Sequence, residues 1–156
     1  MLQVRRLSER DLLALEPIEA SCFSSPWNRS QLTHQLVHKN RISLGVFHGT
    51  ELIGFAFFSF ILDEAELLQV ATDPSQRGLG AAKKLLSEGM EVLNERSIGR
   101  LLLEVRTSNE AAIMLYKRLG FLDDGCRKGY YPAQVEGGDR EDALLMSIGI
   151  AIANEQ

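Results

Sequence analysis

The sequence has few cysteines, few prolines and no long hydrophobic run, and each shortage excludes a class of protein. Its two cysteines, Cys22 and Cys126, form no CxxC pair, so they offer no disulfide framework or zinc site and indicate a reducing compartment. Only four prolines accompany 13 glycines, which excludes a collagenous or a disordered chain. The longest apolar stretch, residues 52–62, is too short to cross a bilayer, and the first residues lack a signal peptide's apolar core. We therefore expect a soluble, cytoplasmic protein without a membrane partner.

Excess positive charge is also missing, because 17 Lys and Arg stand against 21 Asp and Glu and the net charge is −4. Nucleic-acid-binding proteins usually carry a basic face, so we expect no nucleic-acid partner. The pair His34 and His38 does not belong to an HExxH motif and lacks a third ligand, so we expect no metal site. The length fits one domain over residues 1–156 that can bury its own core.

The apolar pattern predicts the element order β-α-α-β-β-β-α-β-α-β-β. The strongest helix signal runs from Ala82 to Leu93, where apolar residues recur at i, i+3, i+4, i+7 and i+8. The last two strands are expected at Phe121–Arg127 and Ala143–Ile152, with a polar loop between them. Because hairpins and helical crossovers occur in one chain, we predict an α/β (α+β) fold with a mixed sheet flanked by helices.

A glycine-rich loop, residues 77–82, lies between a strand and the start of this strongest helix. Small residues there let the backbone approach a ligand, and the unpaired N–H groups of the helix favour an anion. The structural alternative is a glycine turn that only lets strand and helix pack closely. The spacing fits neither a Walker loop nor a dinucleotide fingerprint, which leaves the pattern R-x-x-G-x-A at Arg77, Gly80 and Ala82.

Further motifs surround this pattern along about two thirds of the chain. They are LEVRTSN at 103–109 with Ala112, LY at 115–116 and LGF at 119–121; YYP at 130–132; EDALLM at 141–146; and SPW at 25–27. Together they resemble the GNAT superfamily of acetyl-CoA-dependent N-acetyltransferases. Within it they resemble the RimI-like subgroup, which acetylates the N-terminal alanine of a small-subunit ribosomal protein.

The resemblance implies the GNAT fold, a mostly antiparallel sheet of about seven strands with about four helices. It implies acetyl-CoA as the acetyl donor, a protein N-terminus as partner, and a monomer or weak dimer. It also implies a set of cofactor-binding residues from the strand, the glycine loop and the next helix: Val70, Ala71, Thr72, Arg77, Gly78, Leu79, Gly80, Ala81, Ala82, Asn109 and Tyr116. Backbone N–H groups near Val70 to Thr72 would then stabilise negative charge on the thioester carbonyl.

Glu104 stands out before any resemblance is considered, because it is a carboxylate inside a short apolar strand. Strand alternation puts it on the same face as Leu102 and Arg106. Burial disfavours a charged carboxylate unless it is paired, and such residues are enriched at functional sites. An ion pair with Arg106 is the structural alternative. The LEVR match implies a general base that acts through a water.

Tyr116 is expected on the inner face of its helix, where the structural alternative is a core aromatic with a hydrogen-bonded hydroxyl. The LY motif implies instead a general acid that protonates the departing thiolate. Asn109 is first a helix cap, and the resemblance adds a cofactor contact.

The resemblance places five residues at the acceptor side: Trp27, Glu66, Tyr130, Tyr131 and Glu141. The three aromatic residues either line a peptide-binding slot or only pack two loops against each other. Glu141 either binds a cationic N-terminus or forms an ion pair at the start of a strand. For Glu66 the resemblance implies that it holds a catalytic water. Residues 133–140 form a longer loop than relatives commonly have, which bears on acceptor specificity.

Two other functions remain open at this stage. The first keeps the fold and changes the acceptor to a lysine, a polyamine or another small-molecule amine. The second is a non-catalytic acyl-CoA-binding module, which should have lost its base and acid. Glu104 and Tyr116 are both present, which favours an enzyme.

Overall fold

The computed structural model describes residues 1–151, and within them the predicted element order is confirmed. The strands are β1 (Leu2–Arg6), β2 (Arg41–His48), β3 (Glu51–Ile61), β4 (Glu64–Thr72), β5 (Arg100–Arg106), β6 (Leu122–Tyr131) and β7 (Glu141–Gly149). The helices are α1 (Leu12–Cys22), α2 (Arg29–Val37), α3 (Ala81–Glu95) and α4 (Glu110–Leu119). None of the helices described in residues 1–151 is long and apolar enough to cross a membrane.

One seven-stranded sheet has the order β1-β2-β3-β4-β5-β7-β6. Every neighbouring pair is antiparallel except β4 and β5, so the predicted mixed, mostly antiparallel sheet is confirmed. The ends of the last two strands differ from the prediction, because Tyr131 pairs with Glu141 and extends both strands into the expected loop. The predicted end of the last strand, Ile152, lies outside the described residues.

The central strands β4 and β5 pair only over a short stretch. Glu64, Ala65 and Glu66 pair with residues 100–102, and in the described chain no further pairing between the two strands follows. On its other side β4 continues along β3, with a register shift that leaves Leu68 as the extra residue. Because β4 keeps one partner and loses the other, the sheet opens between β4 and β5.

Helices cover the two faces of the sheet unequally. The apolar stripe of α3 buries Leu85, Leu86 and Leu93 in the larger core, and Gly89 lets α3 approach Phe58, whose ring would be 2.6 Å from an added Cβ. On the opposite face α1 packs on β3 and β4, and α2 packs on β2. On this second face Leu102, Glu104 and Arg106 of β5 and Leu145 of β7 are only half-buried.

Candidate functional site

The glycine loop takes a backbone conformation that glycine alone adopts readily. Gly78 and Gly80 have φ of +87° and +80°, in the left-handed region. An added Cβ at either position would meet no protein atom within 4 Å. Close packing of strand on helix therefore does not explain these glycines, whereas a backbone shaped to receive a ligand does.

The first turn of α3 has no side-chain cap. Gly80 stands at the N-cap position and has no side chain to accept from the next N–H groups. These N–H groups and the helix dipole form an anion site, and Lys83 adds positive charge beside it. The arrangement fits a phosphate-bearing ligand.

A groove of about 460 Å³ runs from this loop between β4 and α4, and we call it the glycine-loop groove. Ten of the eleven residues predicted to bind the cofactor line it: Val70, Ala71, Thr72, Arg77, Gly78, Gly80, Ala81, Ala82, Asn109 and Tyr116. Leu79 does not line it and is half exposed. Cys22 and Phe23, at the end of α1, line it without having been predicted, because nothing in the sequence brings this helix end to the loop.

The edge of β4 beyond Glu66 borders this groove where the sheet opens. Since β5 supplies no pairing there, backbone groups near Val70 to Thr72 can bond to an extended ligand with amide groups. Ala112 and Leu115 of α4 add an apolar wall. Phosphate loop, strand edge and apolar wall together fit acetyl-CoA, whose phosphates are joined to its thioester by a thin amide-bearing arm.

Tyr116 is buried on α4 and reaches the same groove. Burial, with a smaller contribution from Tyr131, raises the pKa of Tyr116 to about 12. The phenol is therefore protonated at neutral pH and can act only as a proton donor. Asn109 caps α4 as predicted, since its Oδ1 accepts from the N–H of Ala112 at 3.3 Å.

Glu104 lies in the middle of β5, half-buried, with Arg127 of β6 as its ionic partner at 3.6 Å. The structural alternative of an ion pair with Arg106 is wrong, because Arg106 pairs with Glu141 at 3.0 Å. Strand order explains the difference: β7 lies between β5 and β6, and its register brings Arg127 to the face that carries Glu104.

Glu104 lines a second groove, of about 590 Å³, which we call the β5 groove. Its lining comes from the β3–β4 turn (residues 59–66), from β5 (Arg100, Leu102, Leu103, Glu104), from β6 (Asp124, Arg127) and from β7 (Leu145, Met146). Glu66 faces Glu104 here: burial and then the Glu104 charge raise the pKa of Glu66, while Arg127 and Arg41 oppose the shift. Two carboxylates and a guanidinium therefore meet at the open end of the sheet.

Tyr130 and Tyr131 stand beside Glu104, edge to face with ring centroids 5.0 Å apart. The charge of Glu104 and a hydrogen bond to it raise the pKa of Tyr130. Burial and then the same charge raise the pKa of Tyr131 to about 12. Tyr131 also contributes to the raised pKa of Tyr116, so it interacts with one residue of each groove, Glu104 and Tyr116.

Trp27 and Glu141 have contacts of their own. The Trp27 ring stacks on that of Phe57 with centroids 5.6 Å apart, and the backbone N–H of Trp27 donates to the buried carboxylate of Glu19 at 2.8 Å. Glu141 accepts from Arg106 and, at 2.9 Å, from the N–H of Ser108. The carboxylate thus ties the start of β7 to the segment that begins α4, and its oxygens are occupied.

Comparison with known proteins gives concordant results. Residues 12–121 match the model of the acetyltransferase (GNAT) family. The [ribosomal protein bS18]-alanine N-acetyltransferase of Escherichia coli K12 is 33% identical over 152 residues, or 97% of this chain and 100% of the relative. The enzyme of the same name from Haemophilus ducreyi is 36% identical over 145 residues, or 93% of this chain and 98% of the relative. The crystal structure of the ribosomal-protein-S18-alanine N-acetyltransferase from E. coli aligns with a TM-score of 0.90 and 33% identity over 100% of this chain and 98% of that one.

Proposed function

Because the chain belongs to the GNAT family and is an acetyl-CoA-dependent N-acetyltransferase, we propose that it acetylates the N-terminal alanine of ribosomal protein bS18. The observation that carries this is near full-length similarity, at 33% and 36% identity, to two enzymes named for that reaction. The β5 groove supports it, because an extended polypeptide can enter there and bring its terminal amine to Glu104.

The glycine-loop groove is proposed to hold the acetyl donor. Acetyl-CoA supplies the acetyl group as an activated thioester. The N–H groups of residues 78–82 bind its phosphates, and the free edge of β4 near Val70 to Thr72 binds its amide-bearing arm. A backbone N–H from the same edge stabilises the negative charge that develops on the carbonyl oxygen, a contribution of a few kcal/mol per donor.

Glu104 is proposed as the general base, acting through a water. An α-amino group has a pKa of about 7.7–8.0, so near neutral pH it needs only a modest base to become nucleophilic. Arg127 forms an ion pair with the Glu104 carboxylate at 3.6 Å, and Glu66 provides a second carboxylate to hold the water. A lysine amine has a pKa near 10.4, so the same base would deprotonate it less readily at neutral pH.

Tyr116 is proposed as the general acid for the departing thiolate. Its buried phenol remains protonated at neutral pH, and it lines the groove that receives the thioester. The two proton-transfer groups thus approach the reacting atoms from different grooves. Both grooves come from one chain, so we propose one domain, active in the cytoplasm as a monomer or weak dimer.

An acceptor panel tests the proposed function. The enzyme and acetyl-CoA are incubated with bS18-derived peptides that begin with free Ala, with N-acetylated copies, with lysine-bearing peptides and with polyamines. Turnover only on free N-terminal Ala is the expected result. Turnover confined to lysine or polyamine amines would replace this acceptor with the alternative one, and no turnover on any amine would indicate a binding module. Mass spectrometry of ribosomal-protein N-termini with and without the gene tests the same reaction in the cell.

A further inference from the structure

The β5 groove continues far beyond the atoms that acetyl transfer requires. From Glu104 it runs back along β5 to Arg100 and to the turn between β3 and β4. These positions lie four residues apart, which is about 13 Å at the ~3.3 Å rise of a strand residue. An extended acceptor with its amine at Glu104 would therefore lay about its second to fifth residues in this part of the groove.

The floor and the far wall of this stretch are apolar. Leu102 and Leu145 form a half-buried floor on the face that α1 and α2 leave open. On the far wall Ile61 and Leu62 are 73% and 89% exposed. A groove that begins at the proposed catalytic base and has accessible leucines along it is suited to the stem of a side chain as well as to a peptide backbone.

Negative charge dominates the walls. Five carboxylates line the groove with only two guanidiniums: Asp63, Glu64, Glu66, Glu104 and Asp124 against Arg100 and Arg127. Arg127 is engaged with Glu104, and Arg100 is shared between Glu64 at 3.9 Å and Asp124 at 3.6 Å. The chain as a whole carries a net charge of −4, so much of its acidity is concentrated in this cleft. A cleft lined mainly by one sign of charge raises the local concentration of the opposite sign.

We propose that the far half of the β5 groove binds the second to fifth residues of the acceptor polypeptide and selects lysine or arginine side chains among them. The apolar floor receives the methylene stem, and Asp63, Glu64 and Asp124 attract the cationic head. A nucleic acid is repelled by the same charges, and a free polyamine does not use the backbone space of the groove. The inference rests on the proposed function, because it assumes that the acceptor amine reaches Glu104.

Peptide kinetics test the proposal. All peptides begin with free Ala and have one length, and they differ only in residues two to five, which are neutral, lysine-containing or glutamate-containing. We expect kcat/KM about threefold to tenfold higher for the lysine set than for the neutral set, mainly through KM, and lower for the glutamate set. The lysine advantage should shrink as salt is added, because these charges are partly exposed.

Two variants locate the effect. Asp63→Asn combined with Glu64→Gln removes two charges at the far end and should bring the lysine peptides close to the neutral ones. Glu51→Gln, a carboxylate-to-amide change at the exposed first residue of β3, should leave the lysine preference intact. Thermal unfolding of each variant, together with binding of a fluorescent lysine peptide, separates a loss of recognition from a loss of folding.

The outcomes distinguish the selection of cationic side chains from the proposed acetylation of N-terminal alanine. Equal kcat/KM for all three peptide sets would overturn the selection of cations while leaving acetylation of N-terminal alanine in place. A lysine preference that survives the double variant would also overturn it, since another surface would then be responsible. If no Ala peptide is acetylated, the proposed function fails, and binding of the lysine peptide to wild type but not to the double variant would still support the groove.

Discussion

The two grooves, to both of which β4 contributes, are built from different parts of the chain. The glycine-loop groove is formed largely by main chain: a loop in a left-handed conformation, a helix N-terminus and the free edge of β4. The β5 groove is formed by side chains, with carboxylates, guanidiniums and two tyrosines around Glu104. The glycine-loop groove is suited to a ligand whose chemistry does not vary. The β5 groove is suited to a polypeptide partner whose side chains must be distinguished.

The difference has a consequence for tolerance to mutation. A groove made of backbone depends on conformation, so changes of φ or of a helix cap should alter it more than changes of surface charge. A groove made of charged side chains depends on which strands lie side by side, because its partners come from β4, β5 and β6. Each prediction below tests one side of this comparison.

The largest effect is expected for Glu104→Gln, which removes the proposed base from the β5 groove and leaves the glycine-loop groove untouched. General-base catalysis is worth about 10²–10⁴ in rate, so kcat should fall by that factor while the Kd for acetyl-CoA stays the same. Single-turnover acetyl transfer and calorimetric titration measure the two quantities. Glu91→Gln, at an exposed position of α3, serves as the matched control. An unchanged single-turnover rate in Glu104→Gln would remove Glu104 from the mechanism.

Tyr116 lines the glycine-loop groove, and its burial predicts a loss of stability in alkali. Its pKa is about 12 in the folded protein and 10.0 for an unperturbed tyrosine. The stabilisation from the neutral phenol is fully present below pH 10 and is lost as the pH rises through 12. At about 1.4 kcal/mol per unit, wild type should lose about 3 kcal/mol that Tyr116→Phe does not lose.

Urea unfolding at several pH values between 9 and 12 measures this difference. Tyr130→Phe is the control, because Tyr130 is 44% exposed and its ionisation should cost the fold little. Parallel alkaline profiles for wild type and Tyr116→Phe would show that the phenol is accessible to solvent, and the proton-donor role would lose its support.

Gly80→Ala tests whether the glycine-loop groove depends on backbone conformation. The substitution forces a residue with a Cβ into φ +80°, which costs about 1–2 kcal/mol. Gly49→Ala imposes the same strain at φ +64° in the turn between β2 and β3 and is the matched control. Both should lower the free energy of unfolding similarly, but only Gly80→Ala should weaken acetyl-CoA binding, by about tenfold. Equal affinities in the two variants would contradict a phosphate-binding loop.

The smallest effect concerns the cap of α4. Asn109→Ala removes the side chain that accepts from Ala112 and should cost about 1 kcal/mol of stability, whereas Asn109→Ser retains a cap and should cost only a few tenths. If the Asn109 side chain also binds acetyl-CoA, both variants should weaken acetyl-CoA binding despite their different stabilities. If the Kd for acetyl-CoA changes only in the variant that loses stability, the role of Asn109 is limited to capping α4.

The elements and their order could be predicted almost entirely from local pattern. The α3 stripe and the cap at Asn109 depend on residues a few positions apart, and each forms where the pattern predicts. The errors lie at the ends of β6 and β7, since the pairing of Tyr131 with Glu141 depends on a neighbouring strand. No local signal in the loop indicates that pairing.

The candidate site likewise has one part that local pattern predicts and another that depends on strand pairing. The glycine-loop residues were identified by motif because a backbone groove is encoded by contiguous small residues. Arg127 was missed as the partner of Glu104, 23 positions away, because two antiparallel pairings through β7 are needed to bring them together. For Glu141 the sequence left two interpretations open, contact with a cationic N-terminus or an ion pair at the start of a strand, and the structure shows the ion pair, with Arg106.

The sequence by itself determined the elements, their order and the position of the glycine loop, because each depends on short-range spacing and backbone preference. It also established a net charge of −4, but not where in the structure the charged residues lie. Only the tertiary structure decided that five carboxylates line one groove and that Glu104 faces Arg127 and two tyrosines. The physical reason is that charge interactions depend on distance in space, and the strand order β4-β5-β7-β6 sets those distances.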